Sequence, residues 1–517
     1  KEQLRSGADA TVGIAETMAK IGPAIFSSAA TTILAMLALG LATLRSFQVL
    51  GPILALGMAF AILAGLTFIP AVLSLLGRKA YWPTKITYAP QTNMESQDQR
   101  GFWHHVGTFV ERRYFVISIS SVLILLLMSL GTLHLRPSFD LLASLPKSTE
   151  SVQGYEVIKE SFPSTSGAIS PSSVFVVTNE DTIESLDIIE TLSAEIALVS
   201  GVGRITSPSR PFGIPLDTTI SEYQQAIKTL PTNTRNILLE QGVDAIPILV
   251  QSGQLAPDKT GVATSLGTTA RLISDSGHVA KIEVVFSGDP GSLETLDKIG
   301  EIRQVLKKHT LSGLQEVLVG GNTAIQYDTK VANEHDIKLI APIVLLIIFV
   351  ILVILVKAII APLYLLGSVV LSFSASLGVS VLIFKFLLGH DGVGQGVPIF
   401  MFIFLVALGV DYNIYIISRV REESYKYGIR KGTVIAISST GGVITSAGVI
   451  LSATFVALAT LPLRDLFQLG FVVSLGVFMD TFFVRGFIVP SFVMLLGKWS
   501  WWPFIGSTHK EGSSQSV

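Results

Sequence analysis

Residues 397–419 read VPIFMFIFLVALGVDYNIYIISR. Fourteen residues, almost all apolar, precede a lone carboxylate, Asp411. A helix needs roughly 20 mostly apolar residues to cross a bilayer, and this run supplies them. Seven more segments read the same way: 22–44, 49–76, 114–135, 339–357, 361–388, 441–461 and 466–496. Polar loops separate them. Eight such runs do not suit the interior of a soluble protein, so the fold class is a membrane all-α bundle of eight transmembrane helices.

Composition agrees. Of 517 residues 49% are hydrophobic and only 15% charged, against about 25% charged in a soluble domain. Mean hydropathy is +0.59. The net charge of −1 gives no pull toward nucleic acid. There are no cysteines, which excludes a disulfide framework, an iron–sulfur cluster and a thiolate metal site. The first residues given, KEQLRSGADATVG, are polar, and no cleavable signal peptide is expected in them.

Lysine and arginine in short loops set orientation. Arg78, Lys79, Lys85, Arg100, Arg112 and Arg113 lie between the second and third spans, and Arg419, Arg421, Lys426, Arg430 and Lys431 follow the sixth. Both groups belong inside, so both termini are expected in the cytoplasm and residues 137–336 outside. That insert reads as α/β. Residues 174–178, 202–206, 278–286 and 315–319 suit strands, and 182–199 and 293–309 suit helices. Two strand–helix–strand units predict a split βαβ, ferredoxin-like sandwich. A helical insertion is expected over 217–254, with loop from there to Gly277. The expected divisions are a connector (1–20), two spans (21–77), a linker (78–113), one span (114–136), the insert (137–336), five spans (337–497) and a tail (498–517).

The chain repeats itself. GPAIFSSAATTILAMLALGLATLRSFQVLG from Gly22 resembles GGVITSAGVILSATFVALATLPLRDLFQLG from Gly441. Leu44-Arg45 matches Leu463-Arg464, and IPAVLSLLGRKAYWP from Ile69 matches VPSFVMLLGKWSWWP from Val489. Transporters are often built from such repeats. The second copy carries three spans, a soluble domain and a further span ahead of Gly441. The first copy is therefore expected to need four more spans and a second outer domain ahead of residue 22.

Ionisable groups inside spans suggest function. Asp411 lies roughly 21 Å below Val397 at ~1.5 Å per residue. Low dielectric disfavours a charged carboxylate, so a carboxyl there can take up and release a proton. Tyr412 beside it can donate a hydrogen bond. Asp480 lies fourteen residues into the last span, at the depth of Asp411. Arg485 sits about 7 Å further along, and a five-residue offset puts it off the face of Asp480. Its expected partner is another helix or the interface, where it can also snorkel. Ser446 is expected near the same depth, for helix packing or a place in a proton path. Asp328, Glu334 and Asp336 are expected to be solvated, with no metal site. No P-loop, nucleotide fingerprint, histidine cluster or nucleophile motif is present. The expectation is a transporter driven by an ion gradient, with no enzyme activity and no cofactor.

GVDYNIYIISRVREE from Gly409, the paired PAVLSLLGRKAYWP and PSFVMLLGKWSWWP endings, VGGNTAIQYD from Val319 and MDTFFVRGFIVP from Met479 resemble the MMPL family of the RND transporter superfamily. The match covers nearly the whole chain. It implies a partial RND-type repeat, a porter-like outer domain, and proton-coupled export of lipids or other hydrophobic molecules across the cell membrane. By that resemblance Asp411 and Tyr412 match the second-half proton-relay pair, and Asp480 and Arg485 match the last-helix Asp and Arg. The implied partners are a hydrophobic substrate, protons, membrane lipids and the missing N-terminal half; a homo-oligomer stays open. The alternative is a non-transporting scaffold, or a secretion or lipid-sensing accessory, of the same fold.

Overall fold

The computed structural model describes residues 9–81, 101–140, 142–161, 171–308 and 311–503. The side chains of Ala10, Lys20, Ala24, Arg78, Tyr81, Lys159 and Asp411 lie outside that description. So do the start of the connector, most of the linker and the polar tail. The chain divides into two compact units, one of residues 1–137 and 332–517, the other of residues 138–331.

The first unit opens with α1 (Ala10–Ala38), α2 (Arg45–Leu66), α3 (Phe68–Leu76) and α4 (Phe102–Ser129). Helix α4 bends at Arg113, whose φ and ψ of −131° and 26° leave the helical region. The second unit holds α5 (Glu150–Ser161), β1 (Ser172–Thr178), α6 (Leu186–Ala197), β2 (Val202–Thr206), α7 (Ile220–Lys228), α8 (Thr232–Gln241), α9 (Ile246–Gln251), α10 (Thr260–Thr269), β3 (Val279–Phe286), α11 (Leu293–Lys307) and β4 (Leu314–Gly320). Then come α12 (Asn322–Val356), α13 (Ile360–Leu382), α14 (Val397–Tyr427), α15 (Ile429–Leu458) and α16 (Arg464–Met479). A π-helical segment, Asp480–Ile488, leads into α17 (Val489–Leu496).

Eight helical runs among the described residues are long and apolar enough to cross a membrane. At ~1.5 Å per residue the 35 residues of α12 reach about 52 Å, more than the hydrocarbon layer requires. Helix α14 packs against α1, α13, α15 and α16. Where two helices touch, small residues let them approach. A Cβ on Gly131 would sit 2.2 Å from the Gly378 carbonyl oxygen, so the turn that follows α4 and the C-terminal part of α13 meet backbone to backbone.

The repeat is visible in the backbone. Leu44 precedes α2 at φ −70°, ψ 121°, and Leu463 precedes α16 at −82°, 122°. Gly77 closes α3 at φ 49°, ψ −125°, and Gly497 closes α17 at 57°, −129°, each opening a short 3-10 turn. That positive φ is where glycine carries no Cβ penalty.

In the second unit the sheet order is β2-β3-β1-β4, every neighbouring pair antiparallel. Helices α6 and α11 make the two crossovers, a split βαβ arrangement. Period-2 alternation points Val174, Val176, Ala280, Ile282 and Val284 at buried Ile189, Leu192, Ile196, Ile299 and Ile302. The stretch expected to be loop before Gly277 contains α10. Its TGVATSLGTT sequence has no strong apolar stripe, and burial decides it: a Cβ on Gly267 would stand 2.9 Å from the Gly242 backbone.

Candidate functional site

Helix α14 is buried on several faces, through Ile403, Val406, Val410, Ile414 and Ile417. It carries position 411, Tyr412 and Asn413 inside the first unit. Asn413 is fully buried, and neither its Oδ1 nor its Nδ2 has a hydrogen-bond partner among the described residues. Asp480 and Arg485 are also buried, at 5% and 3% exposure. They form an ion pair with each other, Arg485 Nη2 donating to Asp480 Oδ2. The guanidinium lies over the Tyr412 ring, 4.2 Å from its centroid, close enough for a cation–π contact. A Cβ on Gly409 would come within 3.6 Å of Asp480 Oδ2. The Asp480 carboxyl, the Arg485 guanidinium, Gly409 and the half-buried Tyr412 ring therefore form one cluster.

The pairing corrects the expectation that Arg485 looks elsewhere. In an α-helix residues five apart diverge by roughly 140°. Residues 480–488 instead form a π-helix, whose i→i+5 ladder brings the fifth residue back over the first. The cause is legible in the repeat. Arg45 to Ile69 is 69 − 45 = 24 residues, whereas Arg464 to Val489 is 489 − 464 = 25. One extra residue between matching ends must go into a wider turn. The first copy makes the run with two α-helices meeting at Thr67, and has no aspartate or arginine within it.

The other singled-out residues fall elsewhere. Ser446 is exposed on α15 and donates to the Val443 carbonyl of its own helix, away from the cluster. Its neighbour Thr445, one position round the helix, borders Arg485. Ser452 bonds Ser474 and ties α15 to α16. Asp336, expected in solvent, is fully buried. Its carboxylate accepts from the N–H groups of Thr43 at 2.6 Å and Leu44 at 2.9 Å, capping the start of α2. Asp328 pairs with Arg303. No group of three or more metal-ligating side chains occurs among the described residues.

In the second unit two groups outside the cluster are tied by hydrogen bonds. Arg210 is held by Glu190 through both Nε and Nη2. The backbone N–H of Thr219 holds the Glu222 carboxyl below the usual carboxylate range.

Three relatives place the chain. A membrane protein of Streptomyces coelicolor is 33% identical over 506 residues, 97% of this chain and 52% of its own length. The apo-petrobactin exporter of Bacillus anthracis is 28% identical over 505 residues, 93% and 57%. The sulfolipid-1 exporter MmpL8 of Mycobacterium tuberculosis is 38% identical over 236 residues, 45% and 22%. The chain spans about half the length of the curated relatives it matches over most of its own length. Together with the eight apolar helices, these relatives mark a multi-pass membrane protein. The MMPL family model matches residues 1–117 and 143–514, and the chain belongs to the MMPL family.

Proposed function

We propose that the chain is the larger part of a secondary transporter that uses the proton gradient to export lipids or other hydrophobic molecules across the cytoplasmic membrane. The observation that carries this is the buried cluster: an Asp480–Arg485 ion pair within a spanning helix, its guanidinium stacked on Tyr412, next to position 411. Charge in such a place is costly and points to function. On this reading the Asp411 carboxyl takes up a proton from one side and releases it to the other, and Tyr412 relays it. Arg485 senses the change in charge, and Asp480 holds Arg485 in place. The exporter names of two relatives support the class of cargo. Residues 138–331 serve as an extracytoplasmic, porter-like domain, and the lysine- and arginine-rich segments at 78–113 and 419–431 stay in the cytoplasm.

The test is Asp411→Asn in the intact protein, with export measured under an imposed proton gradient. Loss of gradient-dependent export is expected; export that continues to follow the gradient would overturn the reading.

A further inference from the structure

The two copies of the repeat can be compared residue by residue. Gly22, Leu44-Arg45, Gly51 and Gly57 each stand 419 positions before Gly441, Leu463-Arg464, Gly470 and Gly476 (476 − 57 = 419). Packing inside each copy follows the same offset. A Cβ on Gly51 would stand 2.5 Å from the Met36 carbonyl oxygen and 2.6 Å from Leu39 Cβ, so α2 lies directly on α1. A Cβ on Gly470 would stand 2.6 Å from the Phe455 carbonyl oxygen and 3.0 Å from Leu458 Cβ, so α16 lies on α15 through the matching residues.

Toward their surroundings the copies differ. In the second, Gly476 receives the Leu405 side chain of α14 and Gly441 receives the Trp103 indole of α4; a Cβ at either position would overlap its guest. In the first, the matching Gly57 and Gly22 have no atom of the described residues within 4 Å. None of the 18-residue apolar window within 45–76 is buried, against 72% of that within 464–501. Lipid gives no reason for glycine at such positions, because a mid-helix glycine lowers helix stability relative to alanine. A neighbouring helix does, because the absent side chain lets it come close. A second copy of this chain does not supply that helix: its Leu405 and Trp103 already fill Gly476 and Gly441, and Leu405 is 5% exposed. The chain spans about half the length of the relatives it matches over most of its own, and the rest of that length is where further helices would lie.

We propose that the face of α1 and α2 carrying Gly22 and Gly57 is a docking surface for two further spanning helices of a longer protein. One lies on Gly57 as α14 lies on Gly476. The other lies on Gly22 as α4 lies on Gly441. Each puts a bulky apolar side chain against its glycine. This rests on the part of the reading above that makes the chain a portion of a larger transporter, and not on what drives transport.

The test uses the protein with its upstream residues, purified in detergent. Gly57→Leu should lower its melting temperature by several degrees, and Gly57→Ala by less. A leucine that faced lipid would leave melting unchanged, and that result overturns the docking. If Gly57→Leu does not fold, cross-linking decides. The present chain has no cysteine, and any upstream are replaced by serine. Gly57→Cys is combined with a cysteine six residues before the aspartate of the upstream span that matches α14, the place of Leu405 relative to position 411 (411 − 405 = 6). A short bifunctional methanethiosulfonate is added, with Gly476→Cys plus Leu405→Cys as the control. A cross-link within one protein, as efficient as the control's, is expected. No cross-link at Gly57, or one joining two copies of the protein, while the control reacts overturns the docking. A Gly57 cross-link alongside an Asp411→Asn protein that keeps gradient-driven export would leave the docking standing and overturn the pump instead.

Discussion

Removing one partner of the buried pair should cost more than removing both. Asp480 and Arg485 are 5% and 3% exposed, so solvent screening gives little relief. Asp480→Asn leaves a guanidinium in the interior that cannot shed its charge, at about 3–5 kcal/mol. Arg485→Gln leaves a carboxyl that can escape by taking up a proton, so its loss should be the smaller. The double variant buries two neutral amides and should return to within about 1–2 kcal/mol of the parent, since neutral replacements of buried pairs are often tolerated. Because each single loss exceeds the double loss, the coupling energy from the double-mutant cycle is larger than the Asp480→Asn loss of about 3–5 kcal/mol. Reversible unfolding in mixed micelles by denaturing detergent gives all four stabilities. Strictly additive losses, or an Asp480→Asn protein within about 1 kcal/mol of the parent, would show that the two groups do not depend on each other and would refute the reasoning.

Deleting Phe487 shortens the run between matching repeat ends to the first copy's length and should turn the π segment into α-helix, while leaving Asp480 and Arg485 five residues apart. Arg485 then swings roughly 140° from Asp480, and stability should fall about as far as in Asp480→Asn; an unchanged melting temperature contradicts this. Asp336→Ala strips the acceptor from two N–H groups at the start of α2, about 1–3 kcal/mol for each, and Asp336→Asn should lose less; melting of the two variants tests the order. Glu190→Gln weakens the grip on Arg210, which is nearly buried, and should lower protection from hydrogen exchange in α6 by about 2–3 kcal/mol. Because Glu222 titrates below its ordinary value when folded, its support for α7 is full above the unfolded pKa near 4.5 and fades as pH falls through the lower folded value. Thr219→Ala keeps the backbone N–H that is the main cause and removes only the hydroxyl, so the Glu222 titration, followed by NMR, should move only part of the way toward that ordinary value.

Much of the architecture needed no tertiary information. A spanning helix is an additive property of some twenty neighbouring residues, so apolar composition alone located all eight. The strands of the inserted unit followed from alternation, and the repeat from landmarks such as Leu44-Arg45 and Gly77, whose backbone angles recur at Leu463-Arg464 and Gly497. The polar contacts were another matter. Spacing assumed a regular α-helix and so separated Arg485 from Asp480, though the one-residue difference between the repeats already signalled a wider turn. Nothing local distinguishes Ser446, facing out, from Thr445, bordering Arg485, or marks Asp336 as the cap of a helix nearly three hundred residues away. Which side chains meet depends on the rotation of each helix about its axis and on the neighbour that supplies the missing donor or acceptor. The sequence alone set which segments are buried; the packing of one helix on another decided which polar groups they bury together.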